Sequence, residues 1–111
     1  MAVLEDERVL MRIFIGEADK HGRRPLYQAL VEELRREGIA GATVLRGVLG
    51  FGAGSQLHSE NLLRVSQDLP VVVEVVDSRE NIDRVMARVT EMVGDGLVTL
   101  EKVRVVRNAA P

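Results

Sequence analysis

Apolar and polar positions alternate along this chain in blocks whose period changes in a regular order. Val9, Leu10, Met11, Ile13, Phe14 and Ile15 form a strand-length apolar run between Arg8 and Glu17, interrupted by Gly16. A charged loop follows through Asp19, Lys20, His21, Gly22, Arg23 and Arg24. Pro25 stands where a helix can start, since the first helical position has no use for the missing N–H. Leu26, Ala29, Leu30 and Leu34 then recur at offsets 0, 3, 4 and 8, one face of a helix. Glu32, Glu33, Arg35 and Arg36 are expected to face water, with Glu32 to Arg36 a favourable spacing and Gly38 as the stop.

Ala42 to Leu49 predicts the second strand, and Pro70 opens a third in which Val71, Val72, Val73, Val75 and Val76 surround Glu74. Asp77 and Glu80 have capping-box spacing, with Ser78 as a rival cap. Ile82, Val85, Met86, Val89, Met92 and Val93 follow at helical offsets, Met86 and Met92 being expected in the core, and Gly94 ends the helix. The last strand starts near Leu97. Its apolar phase slips from Val98 and Leu100 to Val103 and Val105, which predicts a bulge or break around Glu101 and Lys102.

The order β, α, β, β, α, β predicts an α+β fold, a ferredoxin-like βαββαβ sandwich with both helices on one face of an antiparallel sheet. The other face of such a sheet is ordinarily polar. Here Val72 and Val76 share it with Glu74, and the first strand is apolar on both sides apart from Arg12. Apolar patches of more than a few hundred Å² are rarely left open, so a homo-oligomer is expected, and Arg12 and Glu74 are expected to pair with each other or across a subunit interface.

With 111 residues the chain has room for one domain, 1–111, in which 1–7 and 108–111 read as flexible tails and 53–68 as a long polar loop. Apolar residues at 46% and charged ones at 29% are ordinary for a globular protein. Aromatics at 3% and a formal charge of −2 supply neither stacking platforms nor a phosphate footprint, so nucleic acid is not expected as a partner. The absence of cysteine excludes thiolate metal sites, disulfides and thiol nucleophiles. An acidic start without signal-peptide character, and no apolar run near the ~20 residues of a membrane span, lead to the expectation of a cytoplasmic protein without membrane insertion.

Candidate chemistry concentrates in two glycine-rich places. Gly47, Gly50, Gly52 and Gly54 surround Phe51 just before the loop, where they weaken a strand and let backbone approach a ligand closely. Loops as long as 53–68 inside a compact domain are usually functional. The second place is the turn Gly94-Asp95-Gly96. Arg46, Arg64, Arg104 and Arg107 are cations that could serve an anionic ligand. His21 and His58 stand in separate loops without companions and read as surface residues, and the mixed charges Glu17, Asp19, Lys20, Arg23 and Arg24 as a solvated turn. No nucleophile–base pair or paired carboxylates stand out, so catalysis is not expected.

The runs Arg12-Ile13-Phe14-Ile15-Gly16-Glu17, Pro25-Leu26-Tyr27, Gly41-Ala42-Thr43-Val44-Leu45-Arg46-Gly47 and Gly50-Phe51-Gly52 resemble those of an uncharacterised prokaryotic family placed among PII-like proteins. Leu69-Pro70-Val71-Val72-Val73-Glu74, Gly94-Asp95-Gly96 and Glu101-Lys102-Val103 continue the likeness over nearly the whole chain. The resemblance implies a homotrimer with sheets packed inward and a small ligand, often an adenine nucleotide, in the intersubunit clefts. It implies ligand contacts from Gly50, Phe51, Gly52, Gly94, Asp95 and Gly96, beside which Arg46, Gly47 and Arg104 are taken as further candidate ligand contacts, and a T-loop-like role for 53–68 in engaging a target protein. Members look to be encoded beside fluoride-export channels, which makes a membrane transporter or channel the implied target. Ala53 and Leu97 depart from the arginine and lysine that follow the two glycine motifs in PII proteins proper, removing two cations from phosphate binding. The rival readings are a small ferredoxin-like enzyme and a CutA-like trimer taking metal through His21 or His58.

Overall fold

The valine-rich segments form strands because branched side chains suit the pleated, half-buried surface of a sheet, and each helical period in the sequence becomes a helix against it. The computed structural model describes residues 3–52 and 68–108. Its elements are β1 (Val3–Gly16), β2 (Lys20–His21), β3 (Arg24–Pro25), α1 (Leu26–Arg36), β4 (Thr43–Arg46), β5 (Pro70–Asp77), α2 (Arg79–Val93) and β6 (Leu97–Asn108). Four strands make one sheet in the order β4-β5-β1-β6, every neighbouring pair antiparallel, while β2 and β3 form a separate two-residue ladder. This is the ferredoxin-like arrangement.

The core lies between one sheet face and the two helices. Val9, Met11, Ile13 and Ile15 of β1 and Val71, Val73 and Val75 of β5 point into it, against Leu26, Ala29, Leu30 and Leu34 of α1 and Ile82, Val85, Val89, Met92 and Val93 of α2. Each fully buried side chain of this size stabilises by about 1.5–3 kcal/mol. Met92 is in this core, whereas Met86 is only partly buried at its margin.

Five local expectations are revised. β1 starts at Val3, so residues 3–7 are strand and not tail, because they pair with the end of β6. β4 covers only Thr43–Arg46, since Gly47 already turns to give its N–H to the Pro70 carbonyl at 2.7 Å. β6 has no bulge: its register with β1 is unbroken from Phe14↔Leu97 to Val3↔Asn108. Ser78, and not Asp77, caps α2, accepting from the Asn81 N–H at 3.2 Å. Glu32 pairs with Arg24 and Arg36 with Glu33, so Arg36 acts on Glu32 through its charge and not as a direct ion pair. Ser78→Ala should cost about 1 kcal/mol, or ~4 °C in Tm, measured by thermal unfolding.

Candidate ligand-binding cleft

β1 ends at Gly16, β5 begins at Pro70 and α2 hands over to β6 through Gly94, Asp95 and Gly96, all at one end of the sheet. Between them lies a cleft of about 660 Å³ lined by Phe14, Ile15, Gly16, Asp19, Lys20, Phe51, Gly52, Asp68, Pro70, Val93, Asp95, Gly96 and Leu97. The two glycine motifs, more than forty positions apart in sequence, therefore meet at one site. Phe51 and Leu97 are 73% and 59% exposed. The cleft thus has apolar, solvent-facing lips.

Backbone geometry explains the second motif. Gly94 ends α2 with φ +61°, a left-handed conformation that other residues adopt only under strain, and its N–H still bonds to the Thr90 carbonyl. At Gly96 a Cβ would stand 2.3 Å from Val93 Cγ1 and 2.9 Å from the Phe14 carbonyl oxygen, so the turn lies directly on β1. The floor of the cleft is held by carboxylates: Asp19 accepts from the Gly16 N–H at 2.9 Å, and Asp68 from the Ala18 N–H at 3.0 Å.

Of the residues singled out from sequence, Phe51, Gly52, Asp95 and Gly96 line the cleft. Gly50 lies against the Pro70 ring, and Gly47 is tied to the Pro70 backbone. Arg46 stands beside them with its Nε 2.6 Å from Glu17 Oε2, a charge contact without the angle of a hydrogen bond. Arg104 is not brought to this cleft in its own chain. It lies seven positions along β6 from Leu97, some ~24 Å at strand rise, ion-paired with Glu5. Arg107 lies farther along the same strand, and Arg64 and His58 fall outside the described residues, as does all of the predicted loop except Asp68. His21 is exposed on β2 opposite Arg24. Among the described residues no three His, Asp or Glu side chains gather as metal ligands.

Sequence reasoning missed Phe14, Asp19, Lys20, Asp68 and Pro70. Asp19 and Lys20 read as part of a solvated turn because nothing in one dimension shows that the β1–β2 turn is tied to Asp68 and Leu69 and lines the same cleft as Gly96. Their charges set the electrostatics: three carboxylates, Asp19, Asp68 and Asp95, against the ammonium of Lys20 leave the described lining two negative charges in excess.

A match to the DUF190 family, described as "Uncharacterized ACR, COG1993", covers residues 8–105. The chain belongs to the DUF190 family. It is 35% identical over 100 residues to a UPF0166 protein of Aquifex aeolicus, covering 90% of this chain and 94% of that one. Among solved structures it is similar to the apo form of CPII, a nitrogen regulatory PII-like protein from Thiomonas intermedia K12, with TM-score 0.62 and 15% identity over 96% of this chain and 100% of that one. The same protein bound to ADP, AMP and acetate aligns with TM-score 0.61 and 13% identity, covering 92% and 91%. This DUF190 chain thus has the PII-like fold. No described helix is long and apolar enough to cross a membrane.

Proposed function

We propose that this DUF190 protein is a non-enzymatic, PII-like regulator that assembles as a homotrimer and takes an adenine nucleotide in the cleft. The observation that carries this reading is the meeting of Phe51-Gly52 with Asp95-Gly96 around a cavity of about 660 Å³, a volume suited to a nucleotide-sized ligand. Its exposed lips, Phe51 and Leu97, suit closure by a neighbouring subunit. The CPII structure holding ADP and AMP supports the ligand class. Ligand occupancy would then alter segment 53–68, which follows Gly52 directly, and so its contact with a target protein. The family resemblance makes a membrane transporter or channel the target class.

The acidic lining refines the proposal. Phosphates entering beside Asp19, Asp68 and Asp95 meet net repulsion, so they need Mg²⁺ or cations from a neighbouring copy. Thermal unfolding with ADP or ATP at about 100 times Kd should raise Tm by roughly 10 °C, more with magnesium than without, on a particle of trimer mass by light scattering. A trimer whose Tm moves with no adenine nucleotide, with or without magnesium, would overturn the ligand assignment.

A further inference from the structure

Charged side chains on the described cleft lining divide into those that hold the chain in place and those that do not. Asp19 and Asp68 are of the first kind, because each carboxylate accepts a backbone N–H, from Gly16 at 2.9 Å and from Ala18 at 3.0 Å. They brace the turn that follows β1. Lys20 is of the second kind. Its backbone is fixed on β2 opposite Pro25, while its side chain is exposed and lines the cleft. Among the described residues the Lys20 ammonium has no hydrogen bond or ion pair, although Asp19, Asp68 and Asp95 share the cleft with it. It is also the one cation of the described lining. Neighbouring cations are engaged elsewhere: Arg46 stands 2.6 Å from Glu17, Arg24 stands 2.5 Å from Glu32, and Arg104 pairs with Glu5 at the far end of the β1–β6 ladder.

An ammonium carries three donors on a flexible stem and binds phosphate oxygens as a mobile point charge. In a concave site the protein walls focus its field, so the charge acts on a bound group more strongly than it would on an open surface. We infer that Lys20 is the residue of this chain that binds the phosphate of the ligand, its ammonium donating to phosphate oxygens from the β2 side of the cleft. The assignment rests on the adenine-nucleotide reading proposed above and names the side chain that recognises the charged end of that ligand. One ammonium offsets one of the three carboxylates. Magnesium or a neighbouring copy's cations therefore still neutralise the rest of the phosphate charge, and Lys20 fixes where in the cleft the phosphate lies.

Arg23 supplies the control. It is exposed in the turn between β2 and β3, three positions from Lys20, but it is not on the described lining. A lysine that is merely solvated would act on ADP as Arg23 does, through general charge. Calorimetry of ADP with excess magnesium should show affinity lowered about 10- to 100-fold by K20Q, the loss of a charge-assisted contact, and held within about twofold of wild type in R23Q. Lys20→Arg should stay within about fivefold of wild type, because a guanidinium also donates to phosphate. Adenosine, which has no phosphate, should bind wild type and K20Q alike. The ligand-free Tm should move by no more than about 3 °C in any of these variants, since both side chains are exposed. Equal losses of ADP affinity in K20Q and R23Q would reduce Lys20 to background charge. Equal losses for ADP and adenosine would move it from the phosphate to the nucleoside, and wild-type ADP affinity in K20Q would remove it from the site. Each of these overturns the assignment and leaves the nucleotide reading standing. Wild-type protein that binds neither ADP nor adenosine, with or without magnesium, overturns both together.

Discussion

Asp77→Ala should lower Tm by about 13 °C at neutral pH, a loss of about 3 kcal/mol. Asp77 ends β5 with only 4% of its surface exposed. Its carboxylate accepts from the Ala40 N–H at 2.9 Å, the Ser78 N–H at 2.7 Å and the Asn81 side-chain amide at 2.9 Å, and Arg8 lies 3.7 Å away. One side chain thereby ties the α1–β4 connection to the start of α2. Removing it breaks three part-buried hydrogen bonds to one carboxylate, each contributing on the order of 1 kcal/mol net. Burial by itself would raise this carboxyl's pKa, but the hydrogen bonds from Ala40, Asn81 and Ser78 and the charge of Arg8 outweigh it and hold the pKa below its ordinary 3.8.

A group whose folded pKa is depressed contributes stability that is complete above its unfolded pKa and is lost as pH falls through the folded one. The stability gap between wild type and Asp77→Asn should therefore be constant from about pH 5 to 7 and narrow below about pH 4. Denaturant unfolding across this range measures it. A gap that stays constant at acid pH would mean that the carboxylate's charge is immaterial and only its shape counts.

Gly96→Ala should cost about 2 kcal/mol, roughly 9 °C in Tm, and weaken the proposed ADP binding at least tenfold. Two of the atoms its Cβ would meet differ in how far they can yield. Val93 Cγ1 belongs to a side chain that can yield only by leaving its preferred rotamer in the core, and the Phe14 carbonyl oxygen belongs to the central strand β1, which yields less still. The turn must lift, and the cleft changes shape with it. Gly52→Ala is the matched contrast, because among the described residues no atom lies within 4 Å of its would-be Cβ. Stability should then stay within about 0.5 kcal/mol, while a methyl group on the cleft wall reduces the ADP-induced shift. Calorimetry with ADP and magnesium on both variants decides the matter. Unchanged ADP affinity in both would remove the glycine turns from the site.

Much of this protein was legible in one dimension because its physics is periodic. Apolar residues at offsets 3 and 4 announced both helices, Val71 to Val76 announced β5, and an apolar face opposite the helices announced a surface in need of cover. Periodicity also misled at β6. A change of apolar phase, from Val98 and Leu100 to Val103 and Val105, looks like a bulge when the strand is judged alone. Paired with β1, the same change is a straight strand passing from a region covered by helices to one that is not. The cap of α2 went to Ser78 because Asp77 was drawn inward by Ala40, a residue 37 positions earlier in sequence.

The amino-acid sequence by itself determined the element order, the core faces, the apolar open face and both glycine motifs, since these depend on neighbours within a helical turn or a strand repeat. Only the tertiary structure decided that Phe51-Gly52 and Asp95-Gly96 line one cleft, that Asp19, Asp68 and Asp95 make its described lining acidic, and that Arg104 stands at the other end of the β1–β6 ladder. Those facts come from strand register and chain reversal, which bring distant residues together and leave no local period to read.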